Sequence, residues 1–185
     1  GPVVTVAGRT DLSIMDMVYV GKERLIGEVI ALEETGATIQ VYEETEGLRI
    51  GEPVVSTDGP MCATLGPGIL HSIFDGIQRP LEAIRDADGA FIRRGVQAPS
   101  LNESRRWSVS LTVRVGDTVS PGQVYATCPE TESITHRCLV PPQLSGEVVW
   151  VAPDGEYTVN QPVVRVRPAA GEERELTLCQ KWPIR

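Results

Sequence analysis

Ala37-Thr38-Ile39-Gln40-Val41-Tyr42 alternates without a break. Ile39 and Val41 fall on one face and Thr38, Gln40 and Tyr42 on the other, the period of a strand with one side turned to a core. Glu34-Thr35-Gly36 supplies the turn before it, and Arg24 to Leu32 reads as the preceding strand. Gly27 within that strand marks a bulge or a close backbone approach. Val3 to Val6, Met17 to Val20 and Pro53 to Val55 complete the set within residues 1–58. Strands this short and evenly spaced predict a small closed β-barrel, which removes exposed edges.

Residues 101–178 read as a second β unit with a weak internal echo. Val113-Arg114-Val115-Gly116-Asp117-Thr118-Val119 passes through Ser120-Pro121-Gly122 into Gln123 to Ala126. Later, Gly146 to Val151 passes through Pro153-Asp154-Gly155 into Tyr157 to Val166. Each half is strand, turn, strand, and two such halves folded on each other make a flattened barrel, or barrel-sandwich hybrid. Composition agrees: valine occurs 23 times, and 18 Gly and 14 Pro punctuate the strands. The fold class is mainly β.

Residues 59–100 differ and read as a helical connector. After Gly66-Pro67-Gly68, Leu70, Ile73, Phe74 and Ile77 sit at i, i+3, i+4 and i+7, an amphipathic helical face. Pro80 opens a second short helix, with Leu81 and Ile84 on its buried side. The two helices carry an apolar stripe that needs another surface to cover it. Residues 179–185 leave the second β unit.

The chemistry-bearing residues are sparse. A net charge of −8 with only Arg93-Arg94 and Arg105-Arg106 as basic pairs excludes a phosphate-backbone partner. No apolar run is long enough to span a bilayer. Gly1-Pro-Val-Val-Thr-Val-Ala-Gly8 lacks a basic region followed by an apolar stretch, so the expected location is the cytoplasm. Cys62, Cys128, Cys138 and Cys179 form no C-x-x-C pair. Cys128, His136 and Cys138 are three conceivable ligands without the tight pair and fourth member of a zinc site. They read as reduced thiols, buried or partly exposed. Glu43, Glu44 and Glu46 read as a solvated hairpin tip, with a subunit contact as the other reading. His71 and His136 read as packing residues, and no serine has a His and Asp that can be placed beside it. Trp107 and Trp150 read as core or barrel-end packing.

No phosphate loop is visible. That loop needs G-x-x-x-x-G-K followed by Ser or Thr, because backbone amides cradle phosphate and the hydroxyl holds magnesium. The single Gly-Lys, Gly21-Lys22, is followed by Glu23 and has Asp16 where the first Gly belongs. Gly66-Pro67-Gly68 has His71 where a dinucleotide fingerprint needs its third Gly. No catalytic, cofactor-binding or metal residue is assigned anywhere in the chain.

Several runs nevertheless resemble one family. Ala37 to Leu48, Leu65-Gly-Pro-Gly-Ile69, Ile73-Phe-Asp-Gly-Ile-Gln-Arg-Pro-Leu81, Arg94-Gly-Val96, Pro141-Pro142 to Gly146 and Trp182-Pro-Ile-Arg185 occur in one order. They are similar to the catalytic A subunit of V/A-type rotary ATPases. The resemblance implies a layout: a crown β-barrel at 1–58, a connector at 59–100 that packs on a nucleotide-binding domain absent here, a bulge or non-homologous region at 101–178, and an exit at 179–185 toward that absent domain. It implies B subunits as partners in an alternating hexameric ring, peripheral-stalk subunits against the bulge, and no membrane insertion. It implies ATP or ADP and Mg for the parent and none for this stretch, which on that reading is inactive alone, while the parent couples ATP hydrolysis or synthesis to proton or sodium transport. The alternative is a free-standing β-barrel binding module. On that alternative, residues 69–84 are covered by the chain's own atoms. On the family reading, part of the Leu70/Ile73/Phe74/Ile77 stripe, or Trp182, is exposed or buried in a crystal or dimer contact. Biotinyl and lipoyl carriers share the architecture but need a lysine on an exposed hairpin, and the lysines here, Lys22 and Lys181, lie outside 101–178.

Overall fold

The computed structural model describes residues 2–8, 11–70, 72–89 and 93–184. The reading of His71 and the Arg185 end of the Trp182–Arg185 exit lie outside the described residues. The chain divides into two compact units. One holds Gly1–Ala63, Leu81–Ala98 and Trp182–Arg185, the other Thr64–Pro80 and Pro99–Lys181.

The first unit is built on β1 (Val3–Ala7), β2 (Asp16–Val20), β3 (Leu25–Glu33), β4 (Gly36–Val41) and β5 (Val54–Pro60). They form one antiparallel sheet in the order β1-β4-β3-β2-β5. Ile39 and Val41 are buried, as their alternation requires. They share a core with Val18, Val20, Leu25 and Val29. Val4 and Val6 of β1 and Val54 of β5 pack on that same core, so the two ends of the strand order curl around it. Two glycines permit this packing. A Cβ on Gly36 would meet the Val6 carbonyl oxygen at 2.0 Å, and one on Gly27 the Ile39 Cγ2 at 2.7 Å. Gly27 thus marks a close approach. The bulge of β3 falls further on, between Val29 and Ala31.

From β5 the chain turns into β6 (Cys62–Leu65), which carries it into the second unit. It returns to the first for α1 (Leu81–Asp88). Pro80 precedes this helix and Ile84 is buried on its inner side. Gly89, at φ +89°, ends it by donating its N–H to the Arg85 carbonyl.

The other expected helix, over the Leu70–Ile77 run, does not form. Local hydrogen bonds capture the backbone that a helix would have used. Gly68 takes φ +101° and Gln78 φ +61°. Asp75 Oδ1 accepts the N–H groups of Ile77 and Arg79. An Asp side chain that satisfies the backbone this way offers an alternative to the helical ladder, and here it prevails over the apolar spacing.

The second unit contains β7 (Trp107–Leu111), β8 (Thr118–Val119), β9 (Val124–Pro129), β10 (Thr135–Leu139), β11 (Gly146–Val151), β12 (Gly155–Tyr157), β13 (Val164–Arg167) and β14 (Arg174–Leu176). β15 (Gln180–Pro183) leads back out. Two four-stranded sheets, β10-β9-β7-β12 and β14-β13-β11-β8, enclose a single core. Trp107, Val109, Tyr125 and Cys138 enter it from one sheet and Val119, Val148, Val164 and Val166 from the other. The internal echo in the sequence has a physical counterpart. The turn of the first half locks onto the strand of the second, with Gly116 N–H donating to the Val148 carbonyl and Val148 N–H to Asp117.

Candidate functional site

The Phe74-Asp-Gly-Ile-Gln-Arg-Pro80 run folds as a closed loop. Phe74 and Pro80 face each other in an isolated antiparallel bridge. Inside it, Asp75 accepts both backbone N–H groups already described, and its Oδ2 takes Arg79 Nε at 2.7 Å. Burial alone would raise the Asp75 carboxyl. The hydrogen bonds and charge of Arg79, with the Ile77 N–H, outweigh it and hold the group below its ordinary value. Gln78 reaches outward from the loop: its Oε1 accepts Thr64 N–H at 2.6 Å and its Nε2 donates to the Thr64 carbonyl at 2.7 Å. A single side chain thus satisfies both backbone groups of a β6 residue, as a neighbouring strand would. Ser100 Oγ closes the far side by donating to the Gln78 carbonyl.

The turn before this loop is held by Glu130, just after β9. Its side chain is only 2% exposed. Oε1 accepts the N–H groups of Gly68 at 2.7 Å and Leu70 at 3.3 Å, and Oε2 lies 3.4 Å from His136 Nδ1. A buried carboxylate is tolerated only when hydrogen-bonded or paired, and these donors meet that need. Burial pulls the His136 imidazole below its ordinary value, and the Glu130 charge and hydrogen bond offset only part of that pull. Beneath the turn lies Trp107: a Cβ on Gly68 would sit 3.2 Å from its ring. The backbone is therefore fixed while its apolar side chains are not covered. Leu65 is 42%, Leu70 53% and Ile73 61% exposed, and Phe74 and Ile77 are half-buried. In the first unit, Trp182 and Ile184 are also exposed.

A second clasp lies wholly within the first unit. Gly95 N–H donates to Glu43 Oε2 at 2.9 Å, Arg94 donates to the Glu46 carbonyl, and Arg94 lies 3.4 Å from Glu23 Oε2. A Cβ on Gly95 would stand 1.9 Å from the Glu23 carbonyl oxygen, and its φ is +69°. This corrects the reading of the acidic turn as a bare solvated tip. Glu44 and Glu46 are exposed, but Glu43 is half-buried and carries the Arg94-Gly95 run on its carboxylate.

The remaining side chains offer little reactivity. Cys128 and His136 face each other across the β9–β10 ladder. Burial pushes the Cys128 thiol up to about 11 and the Cys138 thiol to about 12. Both therefore stay protonated at neutral pH and are poor nucleophiles. Among the described residues no group of three or more His, Cys, Asp and Glu is placed to hold a metal. Trp107 is core, as expected. Trp150 is not: it stands 37% exposed, with the Arg165 guanidinium 5.2 Å from its ring centre. Its place on β11 puts it opposite the inward Val148 side of the strand, a consequence of the register shift between Val148 and Trp150.

Sequence reasoning did not single out Glu130, and Gln78 and Gly95 entered it only as members of family-like runs, with no role of their own. Pro129-Glu130-Thr131-Glu132-Ser133 has the composition of a solvated turn, and the backbone donors that Glu130 holds lie 60 and 62 residues away. No local pattern reports such a contact.

Comparison with known proteins accounts for nearly the whole chain. A family model for the ATP synthase alpha/beta family, beta-barrel domain, matches residues 1–58, and one for the ATPsynthase alpha/beta subunit barrel-sandwich domain matches residues 98–185. All 185 residues align, at 54% identity, with the V-type ATP synthase alpha chain of Halothermothrix orenii, covering 31% of that protein. Over the same 185 residues the chain is 48% identical to the A-type ATP synthase A subunit of Methanopyrus kandleri, covering 31%, and 48% identical to that of Pyrococcus abyssi, covering 18%. The chain thus spans a third or less of the length of these relatives. No helix among the described residues is long and apolar enough to cross a membrane.

Proposed function

Because the chain belongs to the ATP synthase alpha/beta family, we propose that it forms the N-terminal part of the catalytic A subunit of a V/A-type ATP synthase. The observation that carries this reading is the end-to-end alignment, with the barrel and barrel-sandwich domains matched in order. In this reading residues 1–58 are the crown barrel that keeps an alternating ring of A and B subunits closed. Residues 59–100 and 179–185 pack on the nucleotide-binding domain, and residues 101–178 are a bulge that touches the peripheral stalk. The exposed Leu65, Leu70 and Ile73, on a backbone pinned by Glu130 and Gln78, suit such packing: a rigid apolar surface awaits a cover. The parent works in the soluble head of the complex on the cytoplasmic side. It binds ATP or ADP with Mg and couples their turnover to proton or sodium movement.

The role of the present residues is mechanical. Densely packed β units deform little under load, which suits a part that keeps a ring closed and passes restraining torque to a stator. The decisive experiment removes residues 101–178 from the complete enzyme. ATP hydrolysis by the head should persist while stalk retention and ion transport per ATP fall. Unchanged coupling with a retained stalk would sink the stator role. The purified 185-residue chain with Mg-ATP should show no turnover above buffer, and hydrolysis by it would overturn the assignment of the chemistry to residues outside this stretch.

A further inference from the structure

Glu130 serves two kinds of partner at once. Its Oε1 accepts the Gly68 and Leu70 N–H groups, while its Oε2 lies 3.4 Å from Nδ1 of His136. The carboxylate is sealed from water, but the His136 side chain is 22% exposed, so a proton can reach the imidazole from solvent. Among the described residues two ionisable groups face that imidazole. One is Glu130. The other is Cys128, its register partner on β9, whose thiol stays protonated. Arg137, the next residue of β10, turns to the opposite, exposed face. A titrating side chain thus leans on the same buried carboxylate that fixes the turn.

We propose that this arrangement is a proton-operated release: when His136 takes up a proton, Glu130 lets go of Gly68 and Leu70 and the turn opens. The imidazolium sets a second positive pole against the carboxylate, in competition with the two backbone N–H dipoles. It also places a cation where little water reaches it. An open turn relieves both, because the imidazolium regains its hydration. The turn carries Leu70 and leads into Ile73, so its release removes the fixed backbone beneath that exposed apolar face. The linkage is reciprocal: whatever closure of the turn does against the proton, the proton does against closure. The burial that holds His136 below its ordinary value acts in this direction. A weakened packing of this face on a nucleotide-binding domain at acid pH follows only if the proposed function holds. The release itself does not rest on that reading and is tested in the chain alone.

Amide exchange reads the turn directly. From pH 7.5 to 5.5, protection of the Gly68 and Leu70 amides in the 185-residue chain, corrected for the intrinsic rate, should fall about 3- to 10-fold. The upper figure is the limit for one proton on a group that titrates at 6.5 in the open state. Exchange at both amides should ignore about 1 M urea, as a local opening does, while exchange at Val148 in the core accelerates. His136→Gln should abolish the fall, and His71→Gln, at the other of the two histidines, should leave it intact. Protection that does not change with pH, a fall that persists in His136→Gln, or a urea dependence equal to that of Val148 overturns the proposal. Gly68→Ala gives the reverse reading. It puts a Cβ at φ +101° and 3.2 Å from the Trp107 ring, which strains the turn without touching Glu130 or His136. The His136 ring-proton resonance should then titrate nearer to 6.5 than in the unaltered chain. An unmoved midpoint beside a faster-exchanging turn counts against the coupling.

Discussion

Glu130 carries a negative charge into a place where only 2% of its side chain meets water. Its stability depends on the two backbone N–H groups and the imidazole around it. Glu130→Ala strands those donors, and a buried donor without a partner costs about 1–3 kcal/mol. Urea unfolding of the 185-residue chain at pH 7 should show that loss. Glu130→Gln keeps an acceptor for Gly68 and Leu70 and should lose less than half as much. Equal losses for both variants would mean the charge, and not the acceptor geometry, holds the turn. His136 adds a pH dependence with a definite sign. Its folded value is depressed below 6.5, chiefly by burial. The unfolded chain therefore takes up a proton first as pH falls, and stability that is complete above pH 6.5 is lost progressively below it. Unfolding midpoints measured from pH 7.5 to 5.5 should decline, and His136→Gln should flatten that decline. An unaltered slope would place the titration elsewhere.

Strands and connector differ in how far the sequence reveals them. Ile39 and Val41 announce β4 because a half-buried strand needs only a period of two. The other strands of the first unit begin within a residue of the short apolar runs between turns that announce them, although β5 continues to Pro60, past the Pro53–Val55 run. The Leu70–Ile77 run matches a helical stripe equally well, yet Asp75, Gly68 and Gln78 divert it. Spacing records which residues are apolar, not whether a side chain downstream will take the backbone hydrogen bonds first. The loop's dependence on Gln78 is testable at this scale. Gln78→Ala removes both bonds to Thr64 and leaves a Cβ at φ +61°. The expected cost is about 1–3 kcal/mol, with faster amide exchange at Thr64. Gln78→Gly relieves the backbone conformation but not the missing amide, so it should recover only part of the loss. No loss in Gln78→Ala, together with a gain over the unaltered chain in Gln78→Gly, would show that the bonds to Thr64 contribute nothing.

At the scale of the whole molecule, both β units are visible in the sequence as valine-rich blocks, but their membership is not. The stretch at 59–100 reads as one connector. The structure distributes it, giving Thr64–Pro80 to one unit and Leu81–Ala98 to the other. That division follows from long-range bonds that spacing cannot encode: Glu130 and Ser100 hold the first part, while Glu43 holds the second. It has a consequence for folding. The second unit owns a continuous core that includes Trp107, Tyr125, Val148 and Leu178, the property expected of an independently folding domain. Its two chain segments also end close together, since Ser100 Oγ lies 3.1 Å from the Gln78 carbonyl oxygen. Replacing residues 81–98 by a short Gly/Ser linker in a chain of residues 64–181 should therefore yield a cooperative fold. Near-UV circular dichroism should retain the Trp107 signal, and urea unfolding should follow a single transition. A non-cooperative transition without tertiary signal would mean that the core of this unit needs residues 81–98, and that the two segments cannot be closed on each other without them.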